Sequence, residues 1–437
     1  MGKKLSVFYS ILIVLALHSG SLAENFTVIN ISSNPAVADF GPQLNNNNQM
    51  VWIGLGDSAP GIYYYDDSAT TLTPIKISDA ETNGYEYPKI NNSGHAVWRS
   101  GPYSEGEVFY YDGSSAVNIS KTPGTTGNDK DPQINNNGDV VWSCGSSSPD
   151  IYYYDRSTPS DAAVNISNSL DDDIHPQINN NGDVVWLRRN TEDNDIIYYI
   201  NSSKTMEIIG NTGSINQDET VQINDNGHVV WSGIDDTVSA TNAEIFYYNG
   251  DMIFNISNSP EVTDRDPQIN NNNQIVWYGD SGSDSEIYYY DGESVTNISN
   301  NPSIPEGTPQ INSSAHVTWY GYTGSNYEIY YYDGESVTNL SSNSAADDEF
   351  PQINDNDHVT WFSVFMSDGV PSGYDVFLAK PEDLDADDDK DGFTENEGDC
   401  DDTNAAINPE AEETFFPINF VDENCDGKYC FISSLKY

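Results

Sequence analysis

The sequence predicts an all-β protein: an eight-bladed β-propeller followed by a short, loop-rich calcium-binding tail. The first observation is repetition, because tryptophan recurs once in every 42–46 residues. The second is that each repeat holds four short segments rich in β-branched and aromatic residues and bounded by Asn, Asp or Gly, which is typical of strands. Four strands in a repeat of this length form a propeller blade. The repeated tryptophans are Trp52, Trp98, Trp142, Trp186, Trp231, Trp277, Trp319 and Trp361.

The sixth repeat shows the four predicted strands, which we letter a to d. They lie at Pro267–Asn270, Gln274–Trp277, Glu286–Tyr290 and Ser294–Ser299. Asn-Gly and Asp-Gly pairs between strands a and b and between strands c and d supply the positive φ angles that tight hairpins require. The a–b and c–d turns are short and uniform, whereas the b–c and d–a loops vary. We therefore expect binding specificity at the end of the propeller that carries the variable loops.

The two ends of the repeat region predict how the ring closes. The eighth repeat has no fourth strand after Val376–Leu378, and the orphan segment Val28–Ser32 near the start matches strand d of the other repeats. An N-terminal strand that completes the last blade would leave no free edge in the ring. This predicts eight blades over residues 24–380, with seven blades plus a divergent unit as the alternative.

The order of these motifs resembles TolB-type propeller repeats. A proline, an Asn/Asp-Gly turn, a strand ending in Trp, Ile-Tyr-Tyr-Tyr-Asp-Gly and Val-Thr-Asn-Ile-Ser follow one another along nearly the whole chain. The resemblance implies the fold. It does not select a function, because propellers with such repeats serve as periplasmic scaffolds, surface-layer proteins and non-catalytic domains of peptidases.

Residues 1–23 are expected to be a signal peptide. Lys3 and Lys4 precede an apolar stretch from about Val7 to Leu17, and Ser21–Ala23 offers a cleavage site. The apolar stretch is short for a membrane span, so we expect no membrane insertion. The sequence thus predicts a secreted protein located outside the cell, on its surface or in the periplasm.

The charge of the chain is strongly negative, with a formal value of −53. Without Lys3 and Lys4, 14 basic residues face 69 acidic residues, a formal charge of −55. Such a field argues against nucleic acid and anionic lipid as partners. It favours cations, basic surfaces or simple solubility.

An acidic residue recurs three positions before the Pro-Gln-Ile motif of strand a in seven of the eight repeats. The set consists of Asp39, Asp129, Asp173, Asp218, Asp264, Glu306 and Asp348. One interpretation is an acidic ring at one mouth of the channel, able to hold a cation or a basic partner. The other, which we favour, is that each carboxylate caps its own loop by accepting backbone N–H groups.

Two further patterns are interpreted as architecture. Histidine occupies one repeat position, three before Trp, at His95, His228, His316 and His358. These histidines are too dispersed to meet at a metal and are expected at the surface. Asn-x-Ser sequons recur in strand d at Asn30, Asn118, Asn165, Asn255, Asn297 and Asn339. Their fixed position favours a structural consensus over glycosylation.

The composition changes after Lys380, where 18 acids and three lysines occupy the last 57 residues. Asp387, Asp389 and Asp391 followed by Gly392 and Phe393 have the spacing of an EF-hand-type calcium loop. Position twelve is Gly398 in place of the usual Glu, so we expect other oxygen ligands to close the site. The nearest carboxylates are those of Asp399, Asp401 and Asp402.

The rest of this tail, roughly residues 385–427, resembles the MopE-type metal-binding motif, in Asp399-Cys400-Asp401-Asp402 and Asp422-Glu423-Asn424-Cys425-Asp426-Gly427. The resemblance implies a Cys400–Cys425 disulfide, while the pairing of Cys144 and Cys430 stays open. The family name suggests copper, but the tail has neither His nor Met, and hard oxygen ligands favour calcium. The expected metal set is Asp387, Asp389, Asp391, Phe393, Asp399, Asp401, Asp402, Asp422, Asn424 and Asp426.

These observations predict a calcium-stabilised, monomeric binding protein, not an enzyme, that engages a protein or glycan through its variable loops. The alternatives are a carbohydrate-active or hydrolytic propeller enzyme and a structural surface-layer or adhesin component. We expect no catalytic residues, because almost every polar residue recurs with the repeat. The exceptions are interpreted as solvated loop residues: Lys89, Arg99, His175, Arg188 and Arg189.

Overall fold

The computed structural model describes residues 26–382 apart from short segments, together with positions 407, 409 and 411. The segments left out are 34–37, 56–59, 70–71, 79–87, 103, 122–126, 159–161, 191–193, 214–219, 235–241, 283, 302–304, 344 and 368–369. All regular elements in the described part are β-strands. No helix there has the length and apolar character needed to cross a membrane.

The strands form eight antiparallel sheets of four, and blade n contains the nth tryptophan. The chain begins with β1 (Phe26–Asn30), which belongs to blade 8. Blades 1 to 4 comprise β2 (Ala38–Leu44), β3 (Gln49–Leu55), β4 (Gly61–Asp66), β5 (Ile75–Lys76); β6 (Lys89–Ile90), β7 (Ala96–Ser100), β8 (Glu107–Tyr111), β9 (Ala116–Asn118); β10 (Asp129–Ile134), β11 (Val140–Cys144), β12 (Asp150–Tyr154), β13 (Val164–Asn165); and β14 (Asp172–Ile178), β15 (Val184–Arg189), β16 (Asn194–Ile200), β17 (Thr205–Gly213).

Blades 5 to 8 have the same order of strands. They comprise β18 (Val221–Ile223), β19 (Val229–Ile234), β20 (Ala243–Tyr248), β21 (Ile253–Asn255); β22 (Thr263–Ile269), β23 (Ile275–Asp280), β24 (Ser285–Tyr290), β25 (Val295–Asn297); β26 (Glu306–Ile311), β27 (Val317–Tyr322), β28 (Tyr327–Tyr332), β29 (Val337–Asn339); and β30 (Ala346–Ile353), β31 (Val359–Ser367) and β32 (Val370–Pro381), with β1 as the fourth strand. The first strands of neighbouring blades contact each other around the ring, so strand a lines the channel.

Blade 8 closes the ring as the sequence predicts. Strand β1 pairs antiparallel with β32, with Phe26 opposite Pro381 and Asn30 opposite Phe377. The eight-bladed, all-β propeller with an N-terminal closing strand is therefore confirmed. The closure hides the edge of β32 from solvent and from other chains.

The hydrophobic core is divided among the interfaces between blades. At one of them, Val141 and Ile151 of blade 3 pack against Val184, Trp186 and Ile197 of blade 4. All eight tryptophans are at most 1% exposed, and seven of them stack on the aromatic ring opposite in strand c at 5.8–6.0 Å. Each blade thus presents one aromatic face to its neighbour, which explains why the Trp and Tyr positions repeat.

A closed ring of amide hydrogen bonds joins the a–b turns at one end of the channel. In every blade a buried asparagine donates from its Nδ2 to the main-chain oxygen of the equivalent asparagine in the next blade, at 2.7–3.1 Å. The ring consists of Asn45, Asn91, Asn135, Asn179, Asn224, Asn270, Asn312 and Asn354. The bond from blade 8 back to blade 1 completes the circle, so the amides hold all eight blades in register.

The recurring Asn-x-Ser motif has a structural role in strand d. In blade 6 the backbone N–H of Ile287 donates to the Ser299 hydroxyl at 3.0 Å, and Asn297 Oδ1 accepts the N–H of Asn300 at 2.7 Å. The corresponding serine receives a strand-c N–H in other blades as well. The motif therefore closes a short outer strand, and this accounts for its repetition without glycosylation.

Candidate functional site

The structure does not place the predicted acidic ring around an open channel mouth. Six members lie in described residues, and all six are buried, with at most 6% of their surface exposed: Asp39, Asp129, Asp173, Asp264, Glu306 and Asp348. Asp218 lies outside the described residues. Four of them accept the indole N–H of the tryptophan thirteen residues later at 2.8–3.1 Å. The donors are thus side chains inside the blades, and a partner in solution cannot reach these carboxylates.

These acids meet the outer strands of the preceding blade. The backbone N–H of Ser259 donates to Glu244 at 2.7 Å, and the Ser259 hydroxyl donates to Asp264 in the next blade. Burial raises the pKa of Asp264 to about 6, and it raises those of Asp348 to about 7 and Glu306 to about 8. A neutral carboxyl suits these sites because water is excluded from them. They contribute to blade packing.

The four repeated histidines are half-buried and stay in separate blades. His95, His228 and His316 each meet a strand-c tyrosine hydroxyl at 2.6–2.9 Å. His358 lies 3.1 Å from the main-chain oxygen of Asn356. Within the described part of the chain, no group of three or more His, Cys, Asp or Glu is arranged to hold a metal ion.

A polar cavity of about 400 Å³ opens in the channel at the end that carries the variable loops. Its walls come from strand a of blades 3 to 6 and from the last residue of β15. The lining residues are Asp131, Gln133, His175, Pro176, Gln177, Arg189, Thr220, Val221, Gln222 and Asp266. A cavity of this size suits a small ligand or one end of a larger one.

A β-bulge directs side chains into this cavity. The register of strands a and b slips between Lys130 and Gln133 in blade 3, and likewise in blades 4 and 6. The residue before the proline at each bulge has a left-handed backbone, with φ of 53° at Asp131, 53° at His175 and 49° at Asp266. Such a conformation is uncommon for residues other than glycine. Since bulges re-aim side chains, the residue before the proline faces the channel.

The cavity combines groups of both charges with neutral amides. His175 Nδ1 lies 3.3 Å from Asp131 Oδ2, and this pair is open to solvent. The three glutamines occupy the same register position in blades 3, 4 and 5, each opposite a strand-b valine. These neutral amides offer both hydrogen-bond donors and acceptors to a ligand.

In blade 2 this register position holds Lys89, whose Nζ donates to Gln43 Oε1 at 3.3 Å. Burial lowers the pKa of Lys89, and the negative charge of Asp131 opposes that shift. Lys89 therefore places an amino group on the channel wall close to the cavity.

The five residues interpreted as solvated loop positions have different roles. Arg99 is 1% exposed and donates to the main-chain oxygens of Asp129 and Pro102. Arg188 forms a two-pronged ion pair with buried Asp173 at 2.7 and 3.0 Å. Only Lys89, His175 and Arg189 belong to the channel. Sequence reasoning recognised these residues as unusual but did not find that they come together, because the bulge that turns strand a is not visible as a pattern.

At the opposite end of the channel, a second cavity of about 270 Å³ is lined by asparagines of the a–b turns and by isoleucines of strand a. Their amides are largely used in bonds between blades, as in Asn136 N to Asn180 Oδ1 at 2.8 Å. This end is built for architecture, and the loop end is the stronger candidate for ligand binding.

The predicted signal peptide and nearly all of the predicted metal-binding tail lie outside the described residues. This holds for all ten expected metal ligands and for the Cys400–Cys425 pair. Cys144 is described and is a free thiol, and burial raises its pKa.

Comparison with known families supports the tail motif. Residues 399–429 match the family model of the MopE-type metal-binding motif. The prediction of a metal-binding motif is confirmed, while the match does not identify the metal. No curated protein sequence is significantly similar to the chain.

Solved structures with the same fold include peptidases. A prolyl endopeptidase matches with a TM-score of 0.52 and 9% identity, over 76% of this chain and 55% of its own. Dipeptidyl peptidase 4 of Porphyromonas gingivalis matches with a TM-score of 0.51 and 11% identity, over 78% and 57%. TolB from Acinetobacter baumannii matches with a TM-score of 0.36 and 13% identity, over 65% and 76%. This chain spans little more than half the length of the two peptidases, and identities this low establish the fold alone.

The prediction that the chain is not an enzyme is overturned by this comparison. The two peptidases carry propellers of similar shape within longer chains. A repeat-built propeller without a visible catalytic motif therefore gives no ground for excluding an enzyme. The fold leaves the enzymatic status open.

Proposed function

We propose that this chain is an exported binding protein that engages a protein or glycan at the loop end of its propeller, with a calcium-binding tail beyond it. The cavity of about 400 Å³ carries the proposal. It is polar, it lies at the end with the variable loops, and the residue at the bulge differs between blades, as Asp131 and His175 show, on a constant scaffold. Variable residues on a repeated scaffold are where binding specificity usually resides.

The proposed location is outside the cytoplasm, in the periplasm, on the cell surface or in the medium. The MopE-type motif and the resemblance of the repeats to TolB-type propellers support this coarse assignment. A predicted signal peptide and a formal charge of −53 fit it as well, because a strongly acidic surface stays soluble in saline surroundings.

Calcium is the proposed metal of the tail. Asp387, Asp389 and Asp391 place three carboxylates within five residues, and the matched motif begins at Asp399. Neighbouring carboxylates repel one another unless a hard cation neutralises them. Hard oxygen ligands select calcium, and an affinity of about 10⁻⁴–10⁻³ M would saturate an extracellular site.

A binding screen tests the proposed function. The full chain is applied to glycan and protein arrays with calcium and with a chelator, beside the double variant Asp131→Asn/His175→Asn. We expect a ligand whose binding the double variant weakens at least tenfold. The control is Asp291→Asn, which changes an exposed turn carboxylate far from the cavity and is expected to bind normally. A ligand bound equally by all three proteins would place the binding site elsewhere.

Titration calorimetry of the full chain tests the metal. We expect calcium binding at millimolar concentration or below and its loss in Asp387→Asn/Asp391→Asn. The control is Asp383→Asn, which removes one tail carboxylate outside the motif. Equal calcium binding by both variants would contradict the proposed calcium site. Binding of copper but not of calcium would identify copper as the metal of the tail.

A hydrolase is the second candidate, favoured by the pair formed by His175 and Asp131. A histidine oriented by a carboxylate is a common general base in hydrolysis. Incubation with chromogenic peptides and glycosides, comparing wild type with His175→Asn, tests this. Turnover that His175→Asn abolishes would establish the enzyme, and an absence of turnover would leave the binding function.

A further inference from the structure

We infer that the groove between β13 and β17, the outer strands of blades 3 and 4, binds an extended, uncharged peptide segment of a partner protein. The segment adds a fifth strand to blade 4 beside β17. This groove lies on the rim of the propeller, so the inference is independent of the function proposed for the channel. It follows from an open strand edge, exposed apolar side chains and a pocket that occur together there.

Strand β17 is the longest outer strand of the propeller. It spans nine residues, whereas the outer strands of the other seven blades span two to five. Strand β16 pairs with one of its edges, and no described strand pairs with the other. Proteins usually shorten or charge such edges, because free N–H and C=O groups recruit another strand. Residues 205–208 are all exposed and carry a single charge, that of Glu207, so β17 keeps an edge that another strand can extend.

The three most exposed large apolar side chains in the described part of the chain belong to these two blades. Leu170, Ile208 and Val164 are 93%, 63% and 61% exposed, and Leu170 lies in the connection from β13 to β14. Val164 is opposite Tyr153 in blade 3, and Ile208 is opposite Ile197 in blade 4. Both opposite residues belong to the hydrophobic cluster between these blades, so Val164 and Ile208 point into the groove from its two sides. Apolar residues exposed together mark an interaction surface.

A pocket of about 420 Å³ opens in the same groove. Tyr153 and Tyr199 form its floor, since both are more than nine-tenths buried. The Tyr153 hydroxyl donates to Asp139 Oδ2 at 3.0 Å, and Lys204 Nζ lies 5.8 Å from the centre of the Tyr153 ring. The pocket is therefore preformed and has room for one large apolar side chain.

Charge and hydrogen bonding select a neutral peptide as the occupant. The charged residues that line the pocket are one lysine and one aspartate, Lys204 and Asp155, which offset each other although the whole chain carries a formal charge of −53. A basic segment therefore gains nothing here over the rest of the acidic surface. A sugar ring needs an open aromatic face, and Lys204 covers that of Tyr153. An extended peptide uses the whole groove, because its main chain pairs with β17 and its alternate side chains meet the apolar residues.

Peptide selection on the full chain tests the inference. A phage-displayed library of random heptapeptides is panned on the wild type, and enriched peptides are synthesised with blocked termini for fluorescence anisotropy. We expect peptides with apolar residues at alternate positions and no central proline. The double variant Val164→Lys/Ile208→Lys should bind them at least tenfold more weakly. Both side chains are exposed, and urea unfolding checks that the fold is intact.

Methylation of the peptide main chain separates strand addition from simple burial of side chains. In an antiparallel pair only alternate residues direct their N–H groups at the neighbouring strand. Methylating one alternate set of peptide N–H groups should weaken binding at least tenfold, and methylating the other set should leave binding unchanged. Binding that tolerates both modifications would overturn the inference.

The matched control is Val117→Lys, which should bind the selected peptides as the wild type does. Val117 holds the position of Val164 in blade 2, opposite Tyr110, but on an outer strand of only three residues. If no peptide is enriched, or if the double variant binds as tightly as the wild type, the inference fails and the function proposed for the channel stands. A wild type that sediments as a dimer, with a monomeric double variant, would show that a second copy covers the groove and would overturn the partner assignment.

Discussion

Removing one member of the asparagine ring measures how strongly the a–b turns hold the blades together. Asn179 Oδ1 accepts the N–H groups of Asn181 and Asp183 at 3.0 and 2.9 Å, and its Nδ2 donates to the Asn224 oxygen at 3.1 Å. The side chain is buried. Asn179→Ala therefore leaves the two N–H donors without partners, whereas the Asn224 oxygen keeps the N–H of Gly227 at 3.1 Å. Each unpaired donor costs about 1–3 kcal/mol, so we expect the free energy of unfolding to fall by about 2–5 kcal/mol, allowing for some hydration of the turn.

Urea unfolding followed by tryptophan fluorescence gives this loss from the shift in midpoint. The matched control is Asn181→Ala in the same turn, whose exposed amide makes one hydrogen bond to the Asp225 oxygen at 2.7 Å. That bond is worth about 1 kcal/mol or less. If the two variants lose the same stability, or if Asn179→Ala loses less than about 1 kcal/mol, the ring does not hold the blades together and the reasoning is refuted.

Three other predictions concern the buried acids and the closing strand. Glu306 has a pKa of about 8 against an ordinary 4.5, so its contribution to stability is complete below pH 4.5 and is lost as the pH rises towards 8. The melting temperature should therefore fall from pH 5 to pH 8, and it should fall less in Glu306→Gln. The same pH dependence of the melting temperature in both proteins would contradict the raised pKa of Glu306. Asp173→Asn removes the partner of Arg188 and should lower the free energy of unfolding in urea by about 3 kcal/mol. The further change Arg188→Gln should restore part of that stability, and a double variant no more stable than Asp173→Asn would contradict the pairing. Deletion of residues 26–32 exposes the edge of β32 and should cause aggregation in light scattering, whereas a monomer with an unchanged melting temperature would disprove the closure.

The fold was predictable because its signals repeat, whereas the site depends on a detail that breaks the pattern. With simple alternation along strand a, Asp129, Asp131 and Gln133 would share one face. In the structure Asp129 is buried against Trp142, and Asp131 and Gln133 line the channel. The bulge between Lys130 and Gln133 is the cause, because a slip of one residue exchanges the two faces of a strand. The channel-mouth interpretation of the acidic ring, which was the less favoured of the two that the sequence left open, is therefore wrong for the six described members.

The same bulge separates architecture from specificity within a single motif. Before the bulge, the acidic residue pairs with tryptophan. After the bulge, the Pro-Gln-Ile segment keeps its register with strand b. The acidic residue and the Pro-Gln-Ile segment are therefore nearly constant among the blades. The residue between them, just before the proline, varies among the blades. Its backbone is left-handed in six described cases: Gly41, Asp131, His175, Asp266, Thr308 and Phe350. The left-handed backbone at this position recurs while its side chain changes from Gly to Phe, so no single packing contact fixes the residue, although Phe350 stacks on Phe362 with ring centroids 5.7 Å apart. Ligand choice is the property that such variation can tune, because each change alters the channel wall and leaves the blade beneath it intact.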